Sequence, residues 1–140
     1  MSPDYVNQLS EETILNLESE TYWCLEKFSE NIQANYTEGQ PGVYKILDQV
    51  KRMIQKKDPD LLDTLAEAEY GIEKFAYRWV NCVLTREYSL NSLVRIWDTL
   101  LSEELDISTA LSYTCAAMLI MMAEQLKAFS STPDEIIMFL

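Results

Sequence analysis

Charged and polar side chains collect in one stretch of this chain. Between Phe75 and Glu87 stand Arg78, Asn81, Arg86 and Glu87, and a little downstream Arg95 and Asp98 flank Trp97. Arg78 and Asn81 are i,i+3 neighbours at the border of an apolar helical face. Arg86 and Glu87 fall where that helix should end. Groups placed in this way can tie two adjacent helices together by charge-assisted hydrogen bonds. A structural ion-pair network accounts for them better than direct catalysis does.

Other chemistry is hard to find. The acidic groups Glu11-Glu12, Glu18-Ser19-Glu20 and Glu103-Glu104 lack the signs of two carboxylates held at separate pKa values in a cleft. Solvated helix faces and partners for positive helix ends explain them. No Gly-rich phosphate loop, serine nucleophile elbow or metal-ligand spacing occurs, so no cofactor is expected. The chain has no His, which removes the usual zinc sites and His-based triads. The methionines from Met118 to Met122 interleave with Leu119 and Ile120 and read as a core helix rather than a plastic groove. Cys24, Cys82 and Cys115 are far apart in sequence and in apolar helical contexts, which predicts buried free thiols and a reducing compartment.

The net charge of −12, from 23 acidic and 11 basic residues, argues against nucleic acid and against an anionic membrane surface. It permits a basic protein partner. The longest apolar run, residues 115–123, is far short of the ~20 residues that span a bilayer, so no membrane insertion is expected. The N-terminus lacks the basic and apolar regions of a signal peptide, and a cytoplasmic protein is expected.

The elements that must carry these residues are helices. Three Gly and four Pro in 140 residues are too few turn-formers for an all-β domain, and 48% apolar residues supply one core. Ser10 is the expected N-cap of a first helix whose stripe of Ile14, Leu17, Leu25, Phe28 and Ile32 runs out at Gly39. Tyr22, Trp23 and Cys24 broaden that stripe. After Pro41-Gly42, a cleaner pattern follows: Val43, Ile46, Leu47, Val50, Met53 and Ile54. Asp58-Pro59 restarts the chain for a short helix of Leu61, Leu62 and Leu65, closed by Gly71. Ile72, Phe75, Ala76, Trp79, Val80, Val83 and Leu84 form one wide face. Ser89 should cap a helix of Leu90, Leu93, Val94, Trp97, Leu100 and Leu101. Ser108 should open a long one of Leu111, Cys115, Met118, Leu119, Met122, Leu126 and Phe129. Thr132-Pro133-Asp134-Glu135 has the form of a capping box, but the apolar run 136–140 stops without a C-cap. About seven helices result, and the C-terminus reads as truncated.

Three blocks then resemble one family. Arg78-Trp79-Val80-Asn81-Cys82-Val83-Leu84-Thr85-Arg86-Glu87, with Val94-Arg95-Ile96-Trp97-Asp98 after it, is similar to the signature of the TBC domain, the GTPase-activating domain for Rab proteins. Glu20-Thr21-Tyr22-Trp23-Cys24 resembles its acidic, aromatic helix motif. Ile32-Gln33-Ala34-Asn35-Tyr36-Thr37 with Gln40-Pro41-Gly42 resembles the loop that follows, most closely in the Golgi-associated branch. Order and spacing agree over about residues 10–127. The residues carried over are structural: Trp23, Asn35, Tyr36, Arg78, Trp79, Arg86, Glu87, Trp97 and Asp98.

The resemblance implies an all-α lobe and a Rab-type GTPase as partner. It also implies two catalytic fingers, an Arg in I-x-x-D-x-x-R and a Gln in Y-x-Q-G, both in the N-terminal half of the family's domain. The chain contains neither motif. Residues 46–52 (Ile46-Leu47-Asp48-Gln49-Val50-Lys51-Arg52) have the right types at the wrong spacing, and Tyr5-Val6-Asn7-Gln8 puts Gln one place late. The expectation is therefore residues 1–140 as a C-terminal part of a TBC domain, cut at both ends. It should lack catalytic residues, be no enzyme by itself, and lie in the cytoplasm or peripherally at Golgi membranes. Self-association through exposed apolar surface is expected, as is a missing N-terminal lobe as partner. The alternative is a stand-alone, non-catalytic helical adaptor that binds a Rab or another protein.

Overall fold

The computed structural model describes residues 9–67, 71–102, 106–129, 136 and 139. They form α1 (Glu11–Ser29), a 3-10 helix (Glu30–Asn35), α2 (Pro41–Lys57), α3 (Pro59–Glu67), α4 (Glu73–Asn81), α5 (Leu90–Ser102), α6 (Ile107–Met121) and α7 (Ala123–Ala128). There is no strand among the described residues, and the all-α expectation holds.

The packing is organised around α2. Its period puts Val43, Ile46, Leu47, Val50 and Ile54 on one buried face, which lies mainly against α6, with α4 and the 3-10 helix beside it. Each such side chain contributes roughly 1.5–3 kcal/mol by leaving water. The opposing α6 buries Ile107, Leu111, Cys115 and Leu119, and burial pushes the Cys115 thiol up to about 12, which makes it inert at neutral pH. Entry into α2 is made by Gly39 and Gln40, both left-handed (φ 74° and 47°), before Pro41 at the first turn. At the far end Asp58 accepts the Leu61 N–H at 3.3 Å and caps α3. The same carboxylate takes Lys127 Nζ at 2.6 and 2.8 Å, which ties the α2–α3 corner to α7.

Several local expectations need correction. The first helix stops at Ser29 and tightens into the 3-10 turn that ends at Asn35, short of Gly39. None of its residues is buried. Cys24 is accordingly exposed and Cys82 half-buried, so only Cys115 is the buried thiol expected of all three. The long helix opens at Asp106 rather than Ser108: Asp106 Oδ1 accepts the Thr109 N–H at 2.9 Å, while Ser108 Oγ donates to the Asn31 carbonyl. It breaks at Met122, and Leu126 and Phe129 follow on or just past α7. The acidic pair at 103–104, the residue 5–8 near-match and the 132–135 capping box lie outside the described residues. Of the terminal apolar run, Ile136 is fully buried and Phe139 meets Phe129 at 5.5 Å between ring centres.

Candidate functional site

Two of the three family-like blocks, the Arg78–Glu87 block with Trp97 after it and the loop block, meet around the C-terminal end of α4. Helix α4 does not run to Leu84, as its apolar spacing implied, but ends at Asn81. Val83 and Leu84 are both left-handed, at φ 46° and 63°. The Val83 N–H bonds the Val80 carbonyl at 3.2 Å, and the Leu84 N–H reaches back to the Trp79 carbonyl at 2.9 Å. This pair of bonds is a Schellman ending with Val in the position usually held by Gly. A β-branched residue there is strained by roughly 1–3 kcal/mol. Burial of Val83, Leu84 and Trp79 together offsets that strain.

The sharp ending turns the chain so that Glu87 faces Arg78. Arg78 Nε donates to Glu87 Oε1 at 2.7 Å and Nη2 to Oε2 at 2.9 Å, a bidentate pair. That part of the expected network is present. Arg86, Arg95 and Asp98 are exposed, and none belongs to an ion pair among the described residues. Trp97 anchors α5 by a different route. Its indole N–H donates to the Val83 carbonyl at 3.0 Å, and its ring lies 4.8 Å from that of Phe28 at the end of α1.

The loop block meets the same place from the other side. Tyr36 Oη donates to the Asn81 carbonyl at 3.0 Å, and Gln40 Nε2 donates to Asn81 Oδ1 at 3.3 Å. Tyr77 Oη donates to Gln40 Oε1. Asn81 is thus the joint between the loop and α4. Sequence placed it at the border of the apolar face without giving it this role, and Tyr77 carried no signal at all. Asn35 is 1% exposed, and among the described residues neither polar atom of its amide has a hydrogen-bond partner. It is wedged against Gly42, where a β-carbon would stand 2.8 Å from the Ala34 carbonyl carbon and the Asn35 nitrogen. Trp79 is buried against Phe75, ring centres 5.5 Å apart. Trp23 stands apart from this assembly, 62% exposed on α1, with Tyr22 at 5.5 Å.

The Arg78–Glu87 pair braces a turn, the Gln40 and Asn81 amides join the loop to α4, and the Trp97 indole ties α5 to that turn. A depression of about 200 Å³ lined by Lys51, Leu62, Asp63 and Glu73 lies between α2, α3 and the start of α4, and none of the residues carried over from the family lines it. Among the described residues no group of three or more Cys, Asp or Glu could hold a metal.

Comparison with known proteins places this architecture. A family model described as the Rab-GTPase-TBC domain matches residues 5–127. The chain belongs to the Rab-GTPase-TBC family. It is similar to the GTPase-activating protein GYP1 of Saccharomyces cerevisiae, 39% identical over 66% of this chain and 15% of that protein. It is also similar to TBC1 domain family member 22A of Homo sapiens, 36% identical over 82% of this chain and 22% of that one. The crystal structure of the Ypt/Rab-GAP domain of Gyp1p superposes with a TM-score of 0.82 at 35% identity, covering 87% of this chain and 38% of that one. The chain therefore spans only 15% and 22% of the length of these two relatives, and well under half of the solved Ypt/Rab-GAP domain chain. No helix of the described residues is long and apolar enough to cross a membrane.

Proposed function

We propose that this chain is the C-terminal part of a Rab GTPase-activating domain, and that it accelerates GTP hydrolysis only when joined to an N-terminal half. One observation carries the reading. The three structural blocks of the family stand in register along the chain, yet neither I-x-x-D-x-x-R nor Y-x-Q-G occurs in it. On this reading the lobe braces the half that carries the fingers and offers part of the surface that meets a Rab-type GTPase. It acts in the cytoplasm, peripherally at Golgi membranes, and by itself its uncovered apolar side chains drive self-association.

The test is single-turnover GTP hydrolysis by a panel of Rab proteins. The chain alone should leave each at its intrinsic rate. A domain completed with an N-terminal half carrying both fingers should accelerate one or more of them by about 10³–10⁵, the usual worth of an arginine finger. Acceleration by the chain alone overturns the proposal. Tight Rab binding by the chain with no acceleration from the completed domain favours the adaptor.

A further inference from the structure

The cations of this chain are not spread evenly. Helix α2 holds five of the eleven basic residues, Lys45, Lys51, Arg52, Lys56 and Lys57, and one of the 23 acidic ones, Asp48. All six are exposed. Val43, Ile46, Leu47, Val50 and Ile54 turn the opposite side inward, so Lys45, Asp48, Lys51, Arg52 and Lys56 (i, i+3, i+6, i+7, i+11) share the face left in water. Among the described residues the four lysines form no ion pair, and Arg52 pairs with Asp48 of its own helix. Asp48, Lys51, Arg52, Gln55 and Lys56 border an open groove of about 380 Å³, walled by the methylene stems of the long side chains. Carboxylates of other elements stand only at the edges. Asp63 and Glu73 share the neighbouring depression with Lys51, and Asp106, held below the usual carboxylate range first by the Thr109 N–H, also feels Lys45.

We propose that this face of α2 is a docking site for a short acidic segment of a partner protein, extended along the helix with one large apolar side chain set in the groove. Charge complementarity selects the occupant. From Lys45 to Lys56 the face is about 16 Å long at 1.5 Å per residue, which an extended segment of about five residues spans. Side chains on one side of such a segment recur every ~6.6 Å, near the ~5.4 Å pitch of the helix, so alternate carboxylates reach successive turns. The Asp48–Arg52 pair is no obstacle. Both side chains are more than half exposed, and an exposed pair holds weakly, so an incoming carboxylate can take the guanidinium. Net charge favours a partner of this size. A bilayer or a second copy meets the whole molecule, and a chain of −12 is repelled by an anionic leaflet and by its own twin. A short segment meets only charge within a Debye length, about 8 Å at physiological salt, where α2 dominates. The site stands whether or not the chain forms part of an activating domain.

Fluorescence anisotropy with the full chain and a labelled, end-capped Glu-Glu-Trp-Glu-Glu peptide tests this. Binding should saturate, weaken about tenfold between 0.05 and 0.5 M sodium chloride, and weaken about threefold when Ala replaces the Trp of the peptide. Lys51→Glu with Arg52→Glu should weaken it about tenfold or more. Lys51→Gln with Lys56→Gln, which puts no new carboxylate on the helix, should weaken it about threefold. Asp48→Asn frees the Arg52 fork and should tighten it about twofold. Arg86→Glu with Arg95→Glu changes the net charge equally on exposed side chains outside α2, and should shift binding by less than about twofold. Equal losses from the two charge-reversed pairs, tighter binding of Lys-Lys-Trp-Lys-Lys, or no saturation overturns the proposal. So does sedimentation with phosphatidylserine vesicles that Lys51→Glu with Arg52→Glu abolishes while the peptide stays unbound, which makes the face a lipid contact. A weight-average mass that falls with salt and with the same two substitutions overturns it too, by making the occupant a second copy.

Discussion

The Glu87 side chain is 13% exposed, while the Arg78 side chain it grips is 44% exposed. The acid is therefore the partner with more to lose. Glu87→Gln keeps one hydrogen bond to Arg78 and removes the charge. It should cost about 1 kcal/mol, small because solvent already screens the Arg78 side, and a shifted urea midpoint with an unchanged slope would show it. Trp97→Phe separates two roles of one ring. A phenyl group can still lie against Phe28, but the carbonyl of buried Val83 loses its donor, and the expected loss is roughly 1–2 kcal/mol. If Trp97→Phe proved neutral, the strained turn would have to be held by burial alone. Asp58 supplies the pH dependence. The hydrogen bond from Lys127 holds its carboxyl below the ordinary 3.8, with the Leu61 N–H adding to this. A depressed folded-state pKa means that the unfolded chain takes up the proton first. The contribution is thus complete at neutral pH and drains away as pH falls below about 4. The thermal midpoint of Asp58→Asn should therefore fall less between pH 5 and pH 3 than that of the parent.

Elements show where such local rules combine. Gly42 is the second residue of α2, its Cα packed against the backbone at Ala34 and Asn35. Gly42→Ala should push the 3-10 helix away from α2 and cost roughly 2–3 kcal/mol, as overpacking against backbone does. The same substitution at Gly39, where a β-carbon would meet nothing within 4 Å, should cost less, about 1 kcal/mol, from its left-handed φ alone. Differential scanning calorimetry of the two variants would order them. These cases also show what sequence can convey. The stripe on α2 was legible because a polar face and a buried face alternate cleanly, and Asp58-Pro59 was legible because a cap and a first-turn proline are local chemistry. The end of α4 was not. Its stop signal is ordinarily glycine, and here Val83 takes the left-handed position while Leu84 continues the apolar spacing, so the pattern reads straight through. Arg78 and Glu87 could be recognised as partners only in kind. Their contact depends on the turn that the pattern concealed, and the same turn left Arg86 and Asp98 outside the network. Gln40 meets Tyr77 and Asn81 through the fold, from 37 and 41 residues away, and no local spacing encodes such a meeting.

At the scale of the whole molecule, two properties oppose each other. The apolar side chains left exposed on α1 and α5, Leu17, Leu25, Leu90 and Leu101 among them, favour association, as any large apolar patch does, while a net charge of −12 favours separation. The balance between them is set by salt. At low ionic strength, near 0.01 M, the Debye length is about 30 Å, larger than the reach between neighbouring patches, so every carboxylate on one copy is felt by the next. At 1 M it falls to about 3 Å and the repulsion is confined to direct contacts, whereas the apolar attraction is unaffected or strengthened. Self-association of the isolated chain should therefore rise with sodium chloride, the reverse of an assembly held by ion pairs. Sedimentation velocity at fixed protein concentration would follow it as an increasing weight-average mass. Replacing Leu17 and Leu25 together by Ser, both exposed and so costing only a few tenths of a kcal/mol each in helix propensity, should flatten that rise. A mass that falls with added salt, or that rises equally in the double variant, would place the sticky surface elsewhere than on α1.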